Sequence, residues 1–444
     1  MRTAVVVLGL LISLFITAKS FADDRIAQLE SDAQIFVLHL ADQEFEDAVK
    51  TFDSTMTDAL STDKLDELWH ATLSQVGAYK TITAIRTEPT GPYQTVFVTV
   101  QFEAAPLDIK VVYDQNDKIA GLFFAPAAST GKWAPPSYAD TANVVTEDVT
   151  FGTHGWELPG TLYLPKQGDK VPGIVLVHGS GPQNRDESIG PNKIFKDIAL
   201  GLVANGIAVL TYDKRTFAHG SKMTTLEGLT IDDEAVDDAV SAVKTLAGTP
   251  RIDNSKLYLL GHSLGGTMAP RIAEIASELK GIIIMAGTAR PTEDLILDQM
   301  RYLDSVESDH GNPGAIDLQT IEQQVRLVKS AQLDSATRTV DLPLNIPASW
   351  WLSLRSYQPD RVASAINKPV LILQGMRDYQ VTKHDLMLWE YSLGRNKNVT
   401  IKTYPNLNHL FFAGEGQSIP SEYNKPGHVD PQVITDIATW IKEH

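Results

Sequence analysis

Residues 257–265 have the sequence LYLLGHSLG and are followed by GTMAPRIA at 266–273. The apolar run predicts a buried strand and the second segment predicts a helix, so the chain turns sharply with Ser263 at its apex. Such a turn crowds the positions two residues before and after the serine, and Gly261 and Gly265 leave the room that a Cβ would occupy. Ser263 is therefore predicted to project above a sheet, beside the N-terminal end of a helix.

A serine hydroxyl at such an apex needs a base and an orienting carboxylate before it can act as a nucleophile. Asp378 lies in the loop after the apolar strand predicted at 369–373, and His409 follows a second predicted strand at 399–403. The chain order Ser263, Asp378, His409 is the order typical of a strand-turn-helix nucleophile. These three residues are therefore the predicted catalytic triad.

Four other residues are less suitable as the base or the carboxylate of the triad because of their positions. His428 lies in a Pro- and Gly-containing loop before the last predicted helix, and His384 lies inside a helix. Asp360 falls within an insertion in the alternating pattern. His262, beside the nucleophile, is predicted to face away from the site and to be structural.

Attack on a carbonyl also needs N–H donors for the developing oxyanion. The backbone N–H of Leu264 is one candidate, because it opens the helix after the serine. The loop His-Gly-Ser-Gly-Pro at 178–182 should supply the second, and Gly179 and Gly181 let its backbone approach a substrate. Ser180 is the favoured donor, with Gly181 as the alternative.

From residue 143 to 444 predicted strands alternate with helices, which favours a mostly parallel, doubly wound α/β sheet. In such sheets, sites form at the carboxyl ends of strands. Residues 288–365 interrupt the alternation with helical segments and the pair Trp350-Trp351. We interpret this insertion as a helical lid over the nucleophile; a passive helical excursion at the sheet edge is the alternative.

With these motifs in place, residues 143–444 resemble the α/β-hydrolase superfamily. The loop at 178–182 with Arg185-Asp186 close behind, and Gly-His-Ser-Leu-Gly-Gly at 261–266, resemble secreted bacterial esterases of the dienelactone-hydrolase and prolyl-oligopeptidase-like branch. The charged residues at 185–187 either line the pocket or tie the loop down through salt bridges. We favour the salt bridges.

This resemblance implies a serine carboxylesterase that cleaves a small-molecule acyl ester through an acyl-enzyme. No metal-ligand motif or dinucleotide fingerprint is present, so no cofactor and no metal are expected. A peptidase or amidase is the alternative, although the chain has no N-terminal segment of β-propeller length to screen peptides.

The N-terminal part has the features of an exported protein. Arg2, an apolar run and small residues at 20 and 22 predict a signal peptide over 1–22, hence a secreted or periplasmic bacterial protein; an uncleaved anchor is the alternative. Residues 23–125 predict helices, the first from the apolar periodicity of residues 26–52, followed by an antiparallel meander, and 126–142 form a Pro- and Ser-containing linker. The 23–125 segment resembles a small cystatin-like or nuclear-transport-factor-like α+β domain fused ahead of secreted bacterial hydrolases. It could bind a cell-envelope component, a partner or a second protomer.

Composition limits the partners of the chain. The 444 residues include 38 Lys and Arg against 55 Asp and Glu, a net charge of −17, which argues against nucleic-acid binding. There is no cysteine, so packing alone must hold the fold in an oxidising compartment. No later stretch reaches transmembrane length, so no stable membrane insertion is expected after signal cleavage.

Overall fold

The structure is a computed structural model that describes residues 25–90, 93–103, 106–127, 133–223, 226, 228–309 and 316–444. The chain divides into two compact units, Met1–Ser129 and Thr130–His444, and the division falls inside the segment 126–142. The predicted signal peptide at 1–22 lies outside the described residues. Within the described part of the chain, no helix has both the length and the apolar character needed to cross a bilayer.

The described residues of the N-terminal unit form four helices followed by a four-stranded antiparallel meander, in the order β1-β2-β3-β4. The helices pack on one face of this sheet, where Trp69 contacts Phe102 and Phe124. The elements are α1 (25–41), α2 (Phe45–Val49), α3 (Ser54–Ala59), α4 (Thr62–Val76), β1 (Tyr79–Thr90), β2 (Tyr93–Phe102), β3 (Pro106–Tyr113) and β4 (Ile119–Pro126).

The apolar periodicity over residues 26–52 does not form one helix. The chain leaves the helical path after α1, because Gln43 adopts a left-handed backbone with φ 61°. The N–H of Glu44 then donates to the carbonyl of His39 at 2.7 Å. The helix restarts as α2 and ends before Phe52, which makes an isolated β-bridge to Ile119.

The C-terminal unit is built on an eight-stranded sheet of order β14-β13-β12-β11-β7-β10-β6-β5. Its six strands from β14 to β10 pair in parallel, while β6 and β5 add an antiparallel edge. This confirms the predicted α/β architecture. The strands are β5 (Val144–Phe151), β6 (Leu158–Pro165), β7 (Val171–Val177), β10 (Ala208–Tyr212), β11 (Ile252–His262), β12 (Gly281–Met285), β13 (Val370–Gly375) and β14 (Val399–Tyr404), with a small hairpin of β8 (Ser188–Ile189) and β9 (Asn192–Lys193).

Helices cover both faces of the large sheet. They are α5 (Ile194–Ala204), α6 (Arg215–Ala218), α7 (Gly220–Met223), α8 (Asp237–Ala247, preceded by a π-turn at Asp232–Val236), α9 (Leu264–Ile275), α14 (Lys383–Leu393) and α15 (Pro431–Glu443). Successive side chains of β7 point to opposite faces. Val175 and Val177 join the core under α8, α9 and α14, whereas Ile174 and Leu176 join the core under α5 and α15. Such two-sided burial explains why the central strands are continuous apolar runs.

The insertion between β12 and β13 is helical. It contains α10 (Thr292–Asp309), α11 (Leu318–Lys329), α12 (Ala348–Leu354) and α13 (Pro359–Ala365), with short 3₁₀ turns at Thr339–Asp341 and Pro343–Asn345. The insertion leaves the sheet at the carboxyl end of β12. This is the end at which Ser263 follows β11, so the insertion is placed above that residue.

Candidate active site

Ser263 occupies a strained turn between β11 and α9. Its backbone has φ 53° and ψ −117°, and its N–H donates to the carbonyl of Met285 at 2.9 Å. A Cβ on Gly261 would lie 2.0 Å from the carbonyl oxygen of Gly265, and a Cβ on Gly265 would lie 2.2 Å from that of Val177. Both positions therefore require glycine, because the clashing atoms belong to the backbone and cannot rotate away.

Asp378 and His409 meet at the neighbouring end of the sheet. The Oδ2 of Asp378 lies 2.7 Å from Nδ1 of His409, and both residues are buried. The other carboxylate oxygen, Oδ1, accepts N–H bonds from Gln380 at 2.7 Å and Val381 at 3.0 Å. These two backbone donors orient the carboxylate, and Oδ2 faces the imidazole while also accepting Nε2–H of Gln374 at 3.5 Å.

The loop that carries His409 is organised by Asn408. Its Oδ1 accepts N–H bonds from Leu410 at 3.0 Å and Phe412 at 3.1 Å, and its backbone N–H donates to the carbonyl of Phe412. Phe411 adopts a left-handed backbone with φ 60° inside this tight loop. Sequence reasoning missed Asn408, although an Asn beside the predicted base is a typical turn-forming residue.

Ser263 and His409 line one cavity of about 260 Å³. The hydroxyl of Ser263 makes no hydrogen bond to the imidazole in the part of the chain that the structure describes. Such bonds are often open in a site without substrate. Residues of the insertion form the roof of this cavity: Leu295, Ile296, Gln299, Leu344, Ile346 and Trp350. The other tryptophan of the pair, Trp351, is buried in the core below the insertion.

The predicted oxyanion donors border the same cavity. Leu264 is the first residue of α9, and Ser180 lies on the loop after β7. Among the described residues, neither backbone N–H donates to another protein group. A hydrogen bond from Nζ of Lys214 to the carbonyl of Gly179, at 2.9 Å, stabilises this loop. These observations leave two free N–H groups beside the serine.

The prediction that His262 faces away from the site is wrong. Its Nδ1 lies 3.1 Å from Oε2 of Glu187 and its Nε2 lies 3.0 Å from the carbonyl oxygen of His409. The two imidazole rings are 4.8 Å apart. The loop after β14 folds back over the end of β11, so the side chain before the serine is enclosed within the site.

The charged run at 185–187 is divided between two roles. Arg185 pairs with Asp213 at 2.9 Å, and Asp186 pairs with Lys193 at 2.7 Å, as expected for salt bridges that tie the loop down. Glu187 instead lies 1% exposed beside the cavity. Its Oε1 accepts the N–H of Gly179 at 2.7 Å.

Burial and neighbouring charges together determine the charge states around this loop. It lowers the pKa of His178 to about 4, which keeps that ring neutral near pH 7. For Glu187, burial alone raises the pKa, but the neighbouring His262 outweighs it and holds the pKa below its ordinary value. Burial likewise lowers the pKa of His262, yet the Glu187 carboxylate more than compensates and raises it.

The competing residues lie elsewhere. His428 pairs with Asp197 at 3.1 Å, His384 lies in α14, and Asp360 accepts the hydroxyl of Ser392 at 2.6 Å. None of the three predicted competitors lines the cavity that contains Ser263. The structure therefore brings together the predicted Ser263, Asp378 and His409 and separates them from these alternatives.

The sheet order, the strained serine turn and the Asp–His pair define an α/β-hydrolase. The family described as "serine aminopeptidase, S33" matches residues 174–416, more than half of the chain, and the protein belongs to this family. The family described as "protein of unknown function (DUF3887)" matches residues 33–122 in the N-terminal unit.

Individual relatives were also found. Esterase EstD of Thermotoga maritima is 37% identical over 412 residues, which cover 93% of this chain and 95% of that protein. Cutinase 2 of Thermobifida cellulosilytica is 28% identical over 134 residues, 30% of this chain and 45% of the cutinase. Among solved structures, a hyperthermophilic esterase of the archaeon Pyrobaculum calidifontis aligns with a TM-score of 0.42 and 16% identity, covering 67% of this chain and 85% of that chain.

Proposed function

We propose that this protein is a secreted serine carboxylesterase that cleaves small carboxylic esters through an acyl-enzyme. The observation that carries the proposal is the Asp378–His409 pair at 2.7 Å, which borders the cavity containing Ser263 on its strained turn. The 37% identity to an esterase over nearly the whole chain supports an ester as substrate.

In the first step, Oγ of Ser263 attacks the ester carbonyl carbon while Nε2 of His409 takes the hydroxyl proton. Asp378 accepts the Nδ1–H of the ring, which fixes the tautomer and stabilises the imidazolium that forms. The carbonyl π electrons move to the oxygen, giving a tetrahedral oxyanion.

The N–H groups of Leu264 and Ser180 receive this oxyanion. Leu264 adds the favourable field of the α9 N-terminus. Loss of one such donor typically costs about 3–4 kcal/mol of transition-state stabilisation. Because these donors are backbone groups on rigid elements, they need little reorganisation when charge develops.

Collapse of the tetrahedral species breaks the bond between the carbonyl carbon and the alcohol oxygen. His409 gives its proton to the leaving alcohol, and the acyl group remains on Ser263. Water then attacks this acyl-enzyme with His409 as base, and a second collapse releases the carboxylic acid and returns the proton to Ser263.

A second candidate function is aminopeptidase activity, which the description of the matched family favours. An aminopeptidase must bind the ammonium group of its substrate through an acceptor. Among the residues that the structure describes, two carboxylates line the cavity, and both have internal partners: Glu187 pairs with His262, and Glu234 pairs with Lys214 and Trp350. Because both carboxylates are already paired, neither is available to bind a substrate ammonium group, which favours an uncharged ester over an N-terminal peptide.

Paired substrates test both candidates. We expect the protein to hydrolyse p-nitrophenyl acetate and butyrate far faster than alanine and leucine p-nitroanilides, and we expect Ser263→Ala to abolish ester turnover. Faster anilide turnover would favour the aminopeptidase. Unchanged ester turnover by Ser263→Ala would remove the proposed mechanism.

We also propose export through cleavage of residues 1–22, based on the charged, apolar and small-residue pattern of that segment. Sequencing the N-terminus of protein recovered from a bacterial periplasm or medium tests this, and a retained Met1 would contradict it. The N-terminal unit is proposed to contact an envelope component or a second protomer. Sedimentation and pull-down of the mature chain on cell envelopes test these two alternatives.

A further inference from the structure

We propose that Glu187 and His262 form a buried ion pair that positions both the oxyanion loop and His409. The inference rests on the serine esterase function proposed above. Neither residue contacts the reacting atoms in that mechanism, so both are positioning residues. Each is at most 2% exposed, and both border the cavity with Ser263.

The partners of His262 define its charge. Its Nδ1 faces a carboxylate oxygen of Glu187 at 3.1 Å, and its Nε2 faces the carbonyl oxygen of His409 at 3.0 Å. An ionised carboxylate and a carbonyl can only accept hydrogen bonds. Both ring nitrogens must therefore donate, so the ring that satisfies both contacts is an imidazolium.

Glu187 links this imidazolium to the oxyanion loop. Its Oε1 accepts the N–H of Gly179 at 2.7 Å, while its Oε2 faces His262. Gly179 immediately precedes the proposed donor Ser180, and a Cβ on Gly179 would lie 3.2 Å from Cβ of Ser263. One carboxylate therefore sets the position of the loop relative to the nucleophile.

The backbone conformation of Glu187 indicates that surrounding contacts fix the position of its carboxylate. Glu187 has φ 45°, a left-handed conformation that a residue with a Cβ rarely adopts. Its N–H donates to the carbonyl of Asn184 at 2.8 Å, and its carbonyl accepts the N–H of Ile194 at 3.4 Å. Strain of this kind persists only where surrounding contacts over-determine it, and it is common at functional sites.

The surrounding charges are consistent with a paired ion. The charged groups that act on His262 are Glu187 and Asp378, and the titratable ring of His409 lies 4.8 Å from its own ring. His178, which also interacts electrostatically with Glu187, is neutral near pH 7 because burial lowers its pKa to about 4. Lys214 is paired with Glu234 and the carbonyl of Gly179. Removing either member of the Glu187–His262 pair would leave the other as a buried, uncompensated charge.

Neutral variants separate a positioning role from a purely structural one. Glu187→Gln and His262→Gln each remove one charge and keep side chains that can hydrogen-bond. His428→Gln is the matched control, because His428 also pairs with a buried carboxylate, that of Asp197, but does not line the cavity. Each protein is titrated with a fluorophosphonate, so that rates refer to functional sites, and its thermal unfolding midpoint is measured.

We expect kcat for p-nitrophenyl acetate per titrated site to fall about ten- to a hundredfold in both test variants, with KM within about threefold, because small misplacements of reacting groups have effects of this size. The double variant should lose little more than either single variant, since the two residues act as one unit. The control should keep kcat within about twofold. Losses no larger than in the control, or losses that multiply in the double variant, would overturn the inference.

A measurement on the unaltered protein covers the case in which a variant does not fold. With ¹⁵N-labelled histidine, we expect one ring that keeps protons on both nitrogens at pH 8; the absence of any such ring would overturn the inference. If Ser263→Ala abolishes ester hydrolysis while these tests fail, only the positioning role is lost. If Ser263→Ala leaves hydrolysis unchanged, the proposed function itself fails.

Discussion

The Oδ2 of Asp378 lies 2.7 Å from the Nδ1 of His409, although 31 residues separate them in the chain. The pairing of β13 with β14 explains this proximity: Gly375 lies opposite Tyr404 at the end of the two parallel strands. The loops after both strands therefore leave the sheet at the same edge. The acid and the base of the proposed triad are brought together by sheet order.

Replacing Asp378 by Asn should lower kcat for an aryl ester by about four orders of magnitude, because an amide at this position favours the wrong tautomer of His409. The backbone N–H bonds from Gln380 and Val381 can still hold the remaining side-chain oxygen, so the variant should fold. Steady-state kinetics and circular dichroism check this. A folded variant with a loss below about tenfold would contradict the assigned role.

Gly261→Ala should abolish activity and lower the unfolding midpoint. The new Cβ would lie 2.0 Å from the carbonyl oxygen of Gly265, so the serine turn could not keep its shape. Gly248→Ala is the matched control, since a Cβ there has its first neighbour at 3.5 Å. Ester turnover and thermal unfolding of both variants are compared. Equal behaviour of the two would mean that the tight turn is not needed.

Acid should destabilise the protein through His178. The folded-state pKa of the His178 ring, about 4, lies below the ordinary value of 6.5. Between pH 6.5 and pH 4 the ring therefore binds a proton in the unfolded chain but not in the folded protein. The free energy of unfolding therefore falls as the pH drops from about 6.5 towards 4, by about 3 kcal/mol from this ring alone.

His178→Gln removes this titration and can still donate to the carbonyl of Asn184, the partner of His178 Nε2. Urea unfolding at pH 7 and pH 4.5 should show a smaller loss of stability in the variant, by about 2 kcal/mol or more. An identical loss in both proteins would show that His178 does not remain neutral when folded.

Acyl-chain selectivity should depend on Ile296 in α10. The cavity of about 260 Å³ is small for a ligand site, which favours short acyl chains. Ile296→Ala should raise kcat/KM for an octanoyl ester relative to a butyryl ester by about tenfold, because a few methylenes in an apolar pocket have effects of this size. The substitution should also cost about 2 kcal/mol or more of stability.

Val328→Ala is the control for this prediction. Val328 is buried in α11 of the same insertion but does not line the cavity. Val328→Ala should lower the stability without changing the ratio of kcat/KM for the octanoyl ester to kcat/KM for the butyryl ester. A changed ratio in both variants would mean that the insertion affects selectivity through its overall packing.

The sequence alone was sufficient to predict the site residues that follow strands. Apolar runs of central-strand length predicted the parallel sheet, and Ser263 and Asp378 each follow such a run, whereas His409 follows the more polar edge strand β14. Residues at the carboxyl ends of parallel strands share one edge, so sequence order alone placed these three near one another. In the structure Ser263 and His409 line one cavity, and Asp378 lies behind His409, bonded to its ring.

Features that depend on loop packing could not be predicted in the same way. His262 points towards Glu187 and His409 because a distant loop folds over it, and no local pattern encodes that contact. Gln43 ends α1 although Gln is an ordinary helix-forming residue, so the apolar periodicity of 26–52 contained no breaker to reveal the bend. For His262, a tertiary contact decides the orientation that no local pattern encodes.

Intact-mass spectrometry of the protein quenched with acid during turnover of a slowly deacylating aryl ester tests the central claim most directly. We expect a mass increase equal to one acyl group, located by peptide fragmentation on Ser263 and absent from Ser263→Ala. An acyl group on another residue, or full ester turnover by a Ser263→Ala protein that never acquires the added mass, would contradict Ser263 as the nucleophile.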